Sequence, residues 1–251
     1  MTKPTTIKGV LDELDAIVYE CISTNSRLGY FAYVYRRTTA EIASEISKGS
    51  FQDNKRLEEF DVVFANLYID AYKAFKANIE TSNVWEFSFE NQNQPLTILQ
   101  HVLLGMNAHI NLDLSIAAAQ VMQGKEINDL KPDFDKVNDI LFQITNELQS
   151  RLSRVSPFMF LLDWAGQNSD EKVIDFSMRK ARQQSWNSAN LFWSLGAPDN
   201  QFAIKELDLL TLKLSRIIKT PKLKSLQFIL KLMQFLETKK VRKVLFKLKA
   251  D

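Results

Sequence analysis

The residues best placed to do chemistry are a histidine and an aspartate four positions apart, His109 and Asp113. On a helix this spacing puts both side chains on one face, where they could form an imidazole–carboxylate pair for general base work or supply two ligands to a divalent metal ion. Residues 96–123 around them are mostly apolar with a helical period, which predicts a buried helix. Because buried polar groups are costly unless paired, this pair is either structurally satisfied or functionally used.

The same predicted helix carries three further polar candidates. His101, the only other histidine, lies eight residues before His109. That is about 12 Å along an unbroken helix, near the limit at which two imidazoles could share a metal ion, so we do not expect a shared metal unless the helix breaks at Gly105. His101 is a candidate catalytic group, although its side of the helix also carries small residues, which predicts dense packing there. Asn107 and Asn111 are predicted to hydrogen-bond a ligand or, alternatively, to clamp a neighbouring helix.

Residues from two other predicted helices complete the candidate ligand-binding set. Arg179 and Arg182 lie beside the apolar face of the sixth predicted helix and could bind a carboxylate or phosphate; alternatively, Arg179 pairs with Asp175. Asn66 and Asp70 lie on the third predicted helix together with tyrosines whose rings could line a pocket. These side chains predict a small polar or anionic ligand.

Two alternatives to a metal-free ligand site remain open. A divalent metal ion held by His109 and Asp113 would need further ligands, and the acids least typical of a solvent-facing surface are Asp61, Asp70 and Asp139. The structural alternative is that His109 and Asp113 bond to each other and join two buried helices. Spacing alone does not decide between these roles.

The elements that must position these residues are helical. Seven glycines and six prolines fall between long segments of helical periodicity, and no alternating run indicates a strand. The pattern predicts a single all-α domain, a non-repeating bundle of about eight helices with helix 96–123 buried near its centre. The predicted order is 7–24, 27–48, 54–79, 96–123, 132–155 and 169–196, followed by two or three helices.

Charge divides the chain into two parts. Residues 213–249 carry twelve Lys or Arg and one acid, Glu237, although the net charge of the chain is only +2. We expect residues 1–219 to form an acidic body and residues 220–251 to form basic amphipathic helices packed on the same domain. Such helices can also lie on an anionic membrane surface, so the competing prediction is a non-catalytic interaction or peripheral membrane protein. Nucleic acid is disfavoured because the rest of the chain is acidic and no recognition motif occurs.

Cysteine content and the first residues indicate the compartment. Cys21 is the only cysteine, which excludes an internal disulfide and any multi-cysteine metal site from one chain. The first residues lack the apolar core of a signal peptide, and we expect no uncharged stretch of the roughly 20 residues that cross a bilayer. These features predict a cytoplasmic protein.

Four segments give the chain a resemblance to a known family. They are residues 27–37, 64–70, 99–114 and 176–182, of which the histidine-containing segment 99–114 is the most specific. On these residues the chain resembles an uncharacterised bacterial all-helical family that is classified as a domain of unknown function. The resemblance spans most of the chain and implies that the four segments form one recurring site or packing unit. It supplies no activity, cofactor or catalytic residue.

The leading prediction is a cytoplasmic protein with a buried polar pocket for a small polar or anionic ligand, which could act as an enzyme. His109 would serve as base or metal ligand, and Asp113 would orient it or bind the same metal. A metal-dependent enzyme and a membrane-surface protein are the alternatives. The sequence leaves the substrate, the reaction and the oligomeric state open.

Overall fold

The described part of the chain is built from helices. A computed structural model describes residues 3–156 and 178–249, and these contain eleven α-helices and no strand. The helices are α1 Ile7–Ser23, α2 Gly29–Ser47, α3 Asn54–Lys76, α4 Asn83–Glu90, α5 Ile98–Ala108, α6 Leu114–Val121, α7 Lys131–Ser153, α8 Met178–Leu195, α9 Gln201–Lys219, α10 Lys224–Leu236 and α11 Val241–Lys249. The predicted all-α class is confirmed.

The predicted number of about eight helices is wrong, and two segments account for much of the difference. Residues 83–90, which show no helical periodicity, form α4 because three of their apolar side chains are buried by neighbouring elements. The predicted helix 96–123 is divided, since a π-helical turn, His109–Asp113, separates α5 from α6. α5 begins at Ile98, behind a capping box formed by Thr97 and Gln100. The predicted start of the sixth helix at Ser169 lies outside the described residues.

The α5 and α6 helices lie in the interior. α5 contacts α2 and α9, and α6 contacts α3 and α8. Four apolar side chains of this central segment are at most 1% exposed: Val102, Leu104, Leu112 and Leu114. Gly105 lets α2 approach closely, because a Cβ atom there would lie only 2.3 Å from Cγ of Phe31. The candidate pair is therefore carried by a helix that the rest of the fold encloses.

Three helix starts are held by carboxylates from distant parts of the chain. Asp208 of α9 accepts hydrogen bonds from the first two backbone N–H groups of α4. Glu237, which follows α10, accepts one from the first residue of α5. Asp133 of α7 accepts two from the residues just before α3. Because N–H groups at a helix start lack intrahelical partners and carry partial positive charge, these contacts fix how the helices meet.

The last helix contributes to the main core. α11 contacts α1, α2 and α7. Four of its apolar side chains are at most 1% exposed: Val241, Val244, Leu245 and Leu248. Tyr33 of α2 donates its hydroxyl hydrogen to the backbone carbonyl of Leu248 at 2.7 Å. α10 is less deeply buried and packs through a small apolar cluster against Leu99 of α5.

One segment has the length and composition of a membrane-spanning helix. It is Ile98–Val121, 24 residues long, so the expectation that no stretch is long enough is wrong. Of its most apolar window, 78% is buried inside the fold, as is typical of the core helix of a globular protein.

Candidate functional site

His109 and Asp113 contact each other inside the protein. Nδ1 of His109 lies 3.0 Å from Oδ2 of Asp113, and the two residues are 2% and 3% exposed. Trp85 of α4 donates its indole N–H to the same Oδ2 atom at 2.9 Å. An oxygen that accepts from Trp85 favours the imidazole tautomer with its proton on Nδ1, which leaves the lone pair on Nε2.

The π-helical turn places this pair. The backbone N–H of Leu114 bonds to the carbonyl of His109, five residues earlier rather than the four of an α-helix. Within the turn, the carbonyl of Ile110 accepts a hydrogen bond from the Ser185 hydroxyl of α8. π-Helical turns occur frequently at functional sites. The backbone conformation therefore points to the same candidate residues, His109 and Asp113, as the chemistry of their side chains does.

Aromatic rings enclose the imidazole of His109. Phe64 of α3 stacks on it with a centroid distance of 3.6 Å and an interplanar angle of 10°. Tyr35 of α2 meets it edge-on at 4.3 Å. Three further rings have centroids 5.8, 6.1 and 6.2 Å from it: Phe31, Tyr68 and Trp85. We call these five rings the aromatic cage.

Several buried polar atoms beside the cage have no hydrogen-bond partner among the described residues. They are Nε2 of His109, the hydroxyl oxygen of Tyr68 and Oδ2 of Asp61. Burial raises the pKa of the neighbouring Tyr35, the negative charge of Asp61 raises it further, and a hydrogen bond with the Thr39 hydroxyl partly offsets both. Unpaired buried polar atoms are few in native proteins, and a cluster of them marks a place for water or a polar ligand.

Burial controls the charge of this site. Desolvation lowers the pKa of His109 well below its usual 6.5, and the positive charge of Arg182 lowers it further. Desolvation raises the pKa of Asp113, which the Trp85 hydrogen bond partly offsets. Desolvation also raises the pKa of Asp61 to about 7, against the opposite effect of Arg182. The imidazole is therefore uncharged near neutral pH and keeps a lone pair.

Arg182 is buried close to the cage. It is 3% exposed and lies over the ring of Phe134, with 4.4 Å from its Cζ to the ring centroid. Its guanidinium donates hydrogen bonds to the Asn138 side chain and, at 3.1 Å, to the Phe134 carbonyl. Within the described ranges it forms no ion pair. Desolvation lowers its pKa to about 10, so it remains charged at neutral pH.

Arg179, Asn66 and Asp70 lie elsewhere. Arg179 is exposed and its guanidinium lies 3.2 Å from Asp139 of α7, whereas its alternative partner Asp175 is outside the described residues. Asn66 and Asp70 hold the N-terminal segment: Asn66 donates to the Pro4 carbonyl at 3.0 Å, and Asp70 pairs with Lys3 at 2.5 Å. The structure does not bring these three side chains into contact with His109.

Asn107 joins the central segment to α9, and Asn111 supports Asn107. Asn107 donates to the Thr211 carbonyl at 2.9 Å and to the Ser215 hydroxyl at 2.8 Å. Asn111 donates to Oδ1 of Asn107 at 2.9 Å. These bonds satisfy Asn107 fully, which matches the clamping alternative.

His101 occupies separate surroundings. It is 5% exposed, packs edge-on against Tyr30 at 6.1 Å between ring centroids, and its Nε2 has no partner among the described residues. Burial lowers the pKa of His101 to about 3, with a contribution from the positive charge of Arg27. A surface cavity of about 250 Å³ lies beyond Tyr30, lined also by Arg27 and Glu237 and not by His109.

Trp85 and Phe64 are among the residues around His109 that the sequence analysis did not predict to belong to the site. Trp85 lies in a stretch without helical period, so nothing in the local pattern indicates that its indole meets Asp113. Phe64 is a core residue of α3, and its stacking on His109 depends on the long-range packing of that helix. No three His, Cys, Asp or Glu side chains of the described chain come together as a metal-ligand group, so Asp61, Asp70 and Asp139 do not complete a set with His109.

Fold and site together define an all-helical protein with a buried imidazole–carboxylate pair on a central π-turn. The chain belongs to a family of unknown function, DUF5995, which it matches over residues 7–221. This confirms the predicted resemblance to an uncharacterised domain-of-unknown-function family. Neither the curated proteins nor the solved structures include a match to the chain.

Proposed function

We propose that this protein binds a small polar molecule at the aromatic cage, with Nε2 of His109 accepting a hydrogen bond from it. One observation carries this proposal: Nε2 is buried and unpaired among the described residues, while Nδ1 is held by Asp113. A histidine retained only for packing would be expected to have both nitrogens satisfied or its unpaired nitrogen in water.

The arrangement suits a general base. A carboxylate that holds Nδ1–H orients the imidazole and stabilises the imidazolium that forms when Nε2 takes a proton. Asp113 is itself held by Trp85, so the imidazole is fixed before a ligand arrives. We infer that a ligand would place an acidic proton on Nε2 and that the negative charge left on the ligand would offset the effect of burial, which lowers the pKa of His109; proton abstraction is the reaction class that we propose.

The neighbouring groups support a small, polar or anionic ligand. Tyr68, whose ring belongs to the aromatic cage, carries a buried hydroxyl without a partner among the described residues, and Arg182 supplies a buried positive charge without an ion-pair partner in the described chain. Since His109 and Asp113 are only 2% and 3% exposed, the ligand must enter by local opening of the helices around the cage. We also infer a cytoplasmic location, because Cys21 is a free, buried thiol.

Histidine-selective nuclear magnetic resonance tests the role of His109, because the chain has only two histidines. With ¹⁵N-labelled histidine we expect His109 to be neutral at neutral pH, with its proton on Nδ1 and Nε2 unprotonated. Titration with acetate, inorganic phosphate and glycerol should shift the Nε2 resonance of His109 and leave that of His101 in place. A proton found on Nε2 in the wild-type protein, or no response to any of these probes, would overturn the proposal.

Removing a single tyrosine hydroxyl separates a ligand site from packing. Tyr68→Phe deletes an unpaired buried hydroxyl, so we expect it to raise the free energy of unfolding by roughly 1 kcal/mol while weakening the response of His109 to the probes. Tyr72→Phe is the matched control on the same helix, because the Tyr72 hydroxyl does have a partner, Cys21, at 3.7 Å. Equal destabilisation by both variants, with unchanged probe binding, would indicate a structural role.

A further inference from the structure

A stripe of alternating lysine and phenylalanine lies on the outer face of α10. Lys224, Phe228, Lys231 and Phe235 fall within about 60° around the helix axis at roughly 100° per residue. Phe228 is 69% exposed and Phe235 84% exposed, whereas the other side of the helix packs against Leu99. Phenylalanines this exposed, in the middle of a face, add nothing to the core of the protein.

The α11 helix repeats this arrangement on its own outer face. Phe246 is 74% exposed, and the exposed Arg242, Lys243 and Lys249 lie on the same side of the helix. The opposite side of α11 is the buried stripe that enters the core, so the packing of this helix fixes Phe246 outward. We call the two outer faces the basic aromatic surface.

The basic groups of this surface lack acidic partners. Residues 222–249 carry nine exposed Lys or Arg and a single acid, Glu237, which is buried and bonded to the start of α5. None of the nine forms an ion pair with any carboxylate of the described residues. Their positive potential is therefore available to an external partner.

We propose that the basic aromatic surface docks on an anionic membrane. Phenylalanine rings enter the boundary between lipid headgroups and acyl chains, and the flanking lysines bind lipid phosphates. Leu223 and Leu236, 39% and 45% exposed, lie at the two ends of α10 and add exposed aliphatic surface beside the stripe. Aliphatic side chains gain from burial in lipid but do not stack on bases, which favours a membrane over nucleic acid. Both helices lie beyond the family match, which ends at residue 221, so this docking is independent of the His109 site.

Vesicle flotation of the full chain tests the proposal. We expect binding to phosphatidylcholine vesicles that contain about a third phosphatidylserine, no binding to pure phosphatidylcholine, and loss of most binding at about 0.5 M salt. The double variant Phe228→Ser with Phe235→Ser should weaken binding at least about tenfold. Phe202→Ser is the matched control, since Phe202 is 74% exposed at the start of α9, outside this surface.

Insertion and charge are then measured separately. Phe235→Trp should show a blue-shifted emission on vesicle binding and quenching by brominated lipid, as expected for a ring that enters the bilayer. Lys224→Gln with Lys231→Gln should weaken binding severalfold without abolishing insertion. All these positions are exposed, so circular dichroism should show an unchanged fold.

Three outcomes would overturn the docking proposal. The first is no binding to anionic vesicles at low salt. The second is vesicle binding that the phenylalanine double variant and Phe202→Ser alter equally, which would indicate diffuse charge attraction only. The third is tighter binding to duplex DNA or RNA in the same assay, which would assign the surface to nucleic acid.

Discussion

At the scale of single residues, the chain keeps polar groups where an apolar core would be more stable. His109, Asp113 and Asp61 are each at most 9% exposed, and burial shifts all three toward their uncharged forms. Each unpaired buried atom costs on the order of 1–3 kcal/mol, so retaining several in one cluster is costly for stability alone. Function at this cluster explains why the cost is tolerated.

The cost of burying Asp61 can be measured from the pH dependence of the free energy of unfolding. Its pKa is raised from 3.8 to about 7 in the folded protein, so between these pH values the folded state holds a proton that the unfolded chain has released. The Asp61 contribution therefore lowers stability progressively as pH rises through this window and is constant above it. We expect Asp61→Asn to match the wild type near pH 4 and to exceed it by up to about 4 kcal/mol near pH 8, at about 1.4 kcal/mol per pKa unit.

Chemical denaturation at several pH values measures this difference. Asp12→Asn on the exposed face of α1 is the control, and it should change the free energy of unfolding by less than about 0.5 kcal/mol. Comparing each variant with the wild type at each pH cancels the titration of Glu237 and His101. A pH-independent effect of Asp61→Asn would show that Asp61 is not held protonated by burial.

At the scale of helices, the contact between α2 and α5 sets the position of the π-turn. Gly105 lies one turn before His109 and faces Phe31, itself part of the aromatic cage. In Gly105→Ala the new Cβ would sit 2.3 Å from Cγ of Phe31, inside any allowed contact distance. We expect a loss of about 1–3 kcal/mol or more in unfolding free energy and a shifted His109 resonance, because Phe31 must move.

Gly9→Ala is the matched control for this substitution. Gly9 also lies in a helix, but a Cβ there would have its nearest neighbour, Oγ1 of Thr6, at 3.4 Å. Since alanine favours the helix over glycine, this variant should gain about 0.5–1 kcal/mol. If Gly105→Ala did not lower the free energy of unfolding either, the close approach of α2 to α5 would not be what holds the π-turn in position.

The helices themselves show what the sequence could predict. Periodicity and local signals located α1, α2, α3 and α7 well, and the spacing of His109 and Asp113 correctly indicated their contact, because both depend on neighbouring residues only. The π-turn, α4 and the Trp85 hydrogen bond were missed, since each depends on contacts between segments far apart in the chain. The capping of α4 by Asp208 is another such long-range contact, since Val84 and Asp208 are 124 residues apart in the chain.

At the scale of the whole molecule, the two proposed activities lie on different parts of the chain. The His109 site is built from α2, α3, α4 and the π-turn, all within the family match, whereas the basic aromatic surface is built from α10 and α11 beyond it. α11 nevertheless shares the main core with α1 and α2. Point variants of exposed residues therefore test membrane docking more cleanly than a deletion of the tail.

The shared core leads to a last prediction about cooperativity. Leu245 of α11 is fully buried, and its Cδ1 lies 3.3 Å from the position that a Cβ on Gly29 would occupy, at the start of α2. Leu245→Ala should therefore cost about 2–5 kcal/mol in one unfolding transition, with the His109 resonance and the helical signal lost together. The adjacent Phe246→Ala, 74% exposed, should change stability by less than about 0.5 kcal/mol. If instead Leu245→Ala released α11 while the His109 site stayed intact, the C-terminal helices would be a separable attachment, and the acidic body alone would be the folding unit.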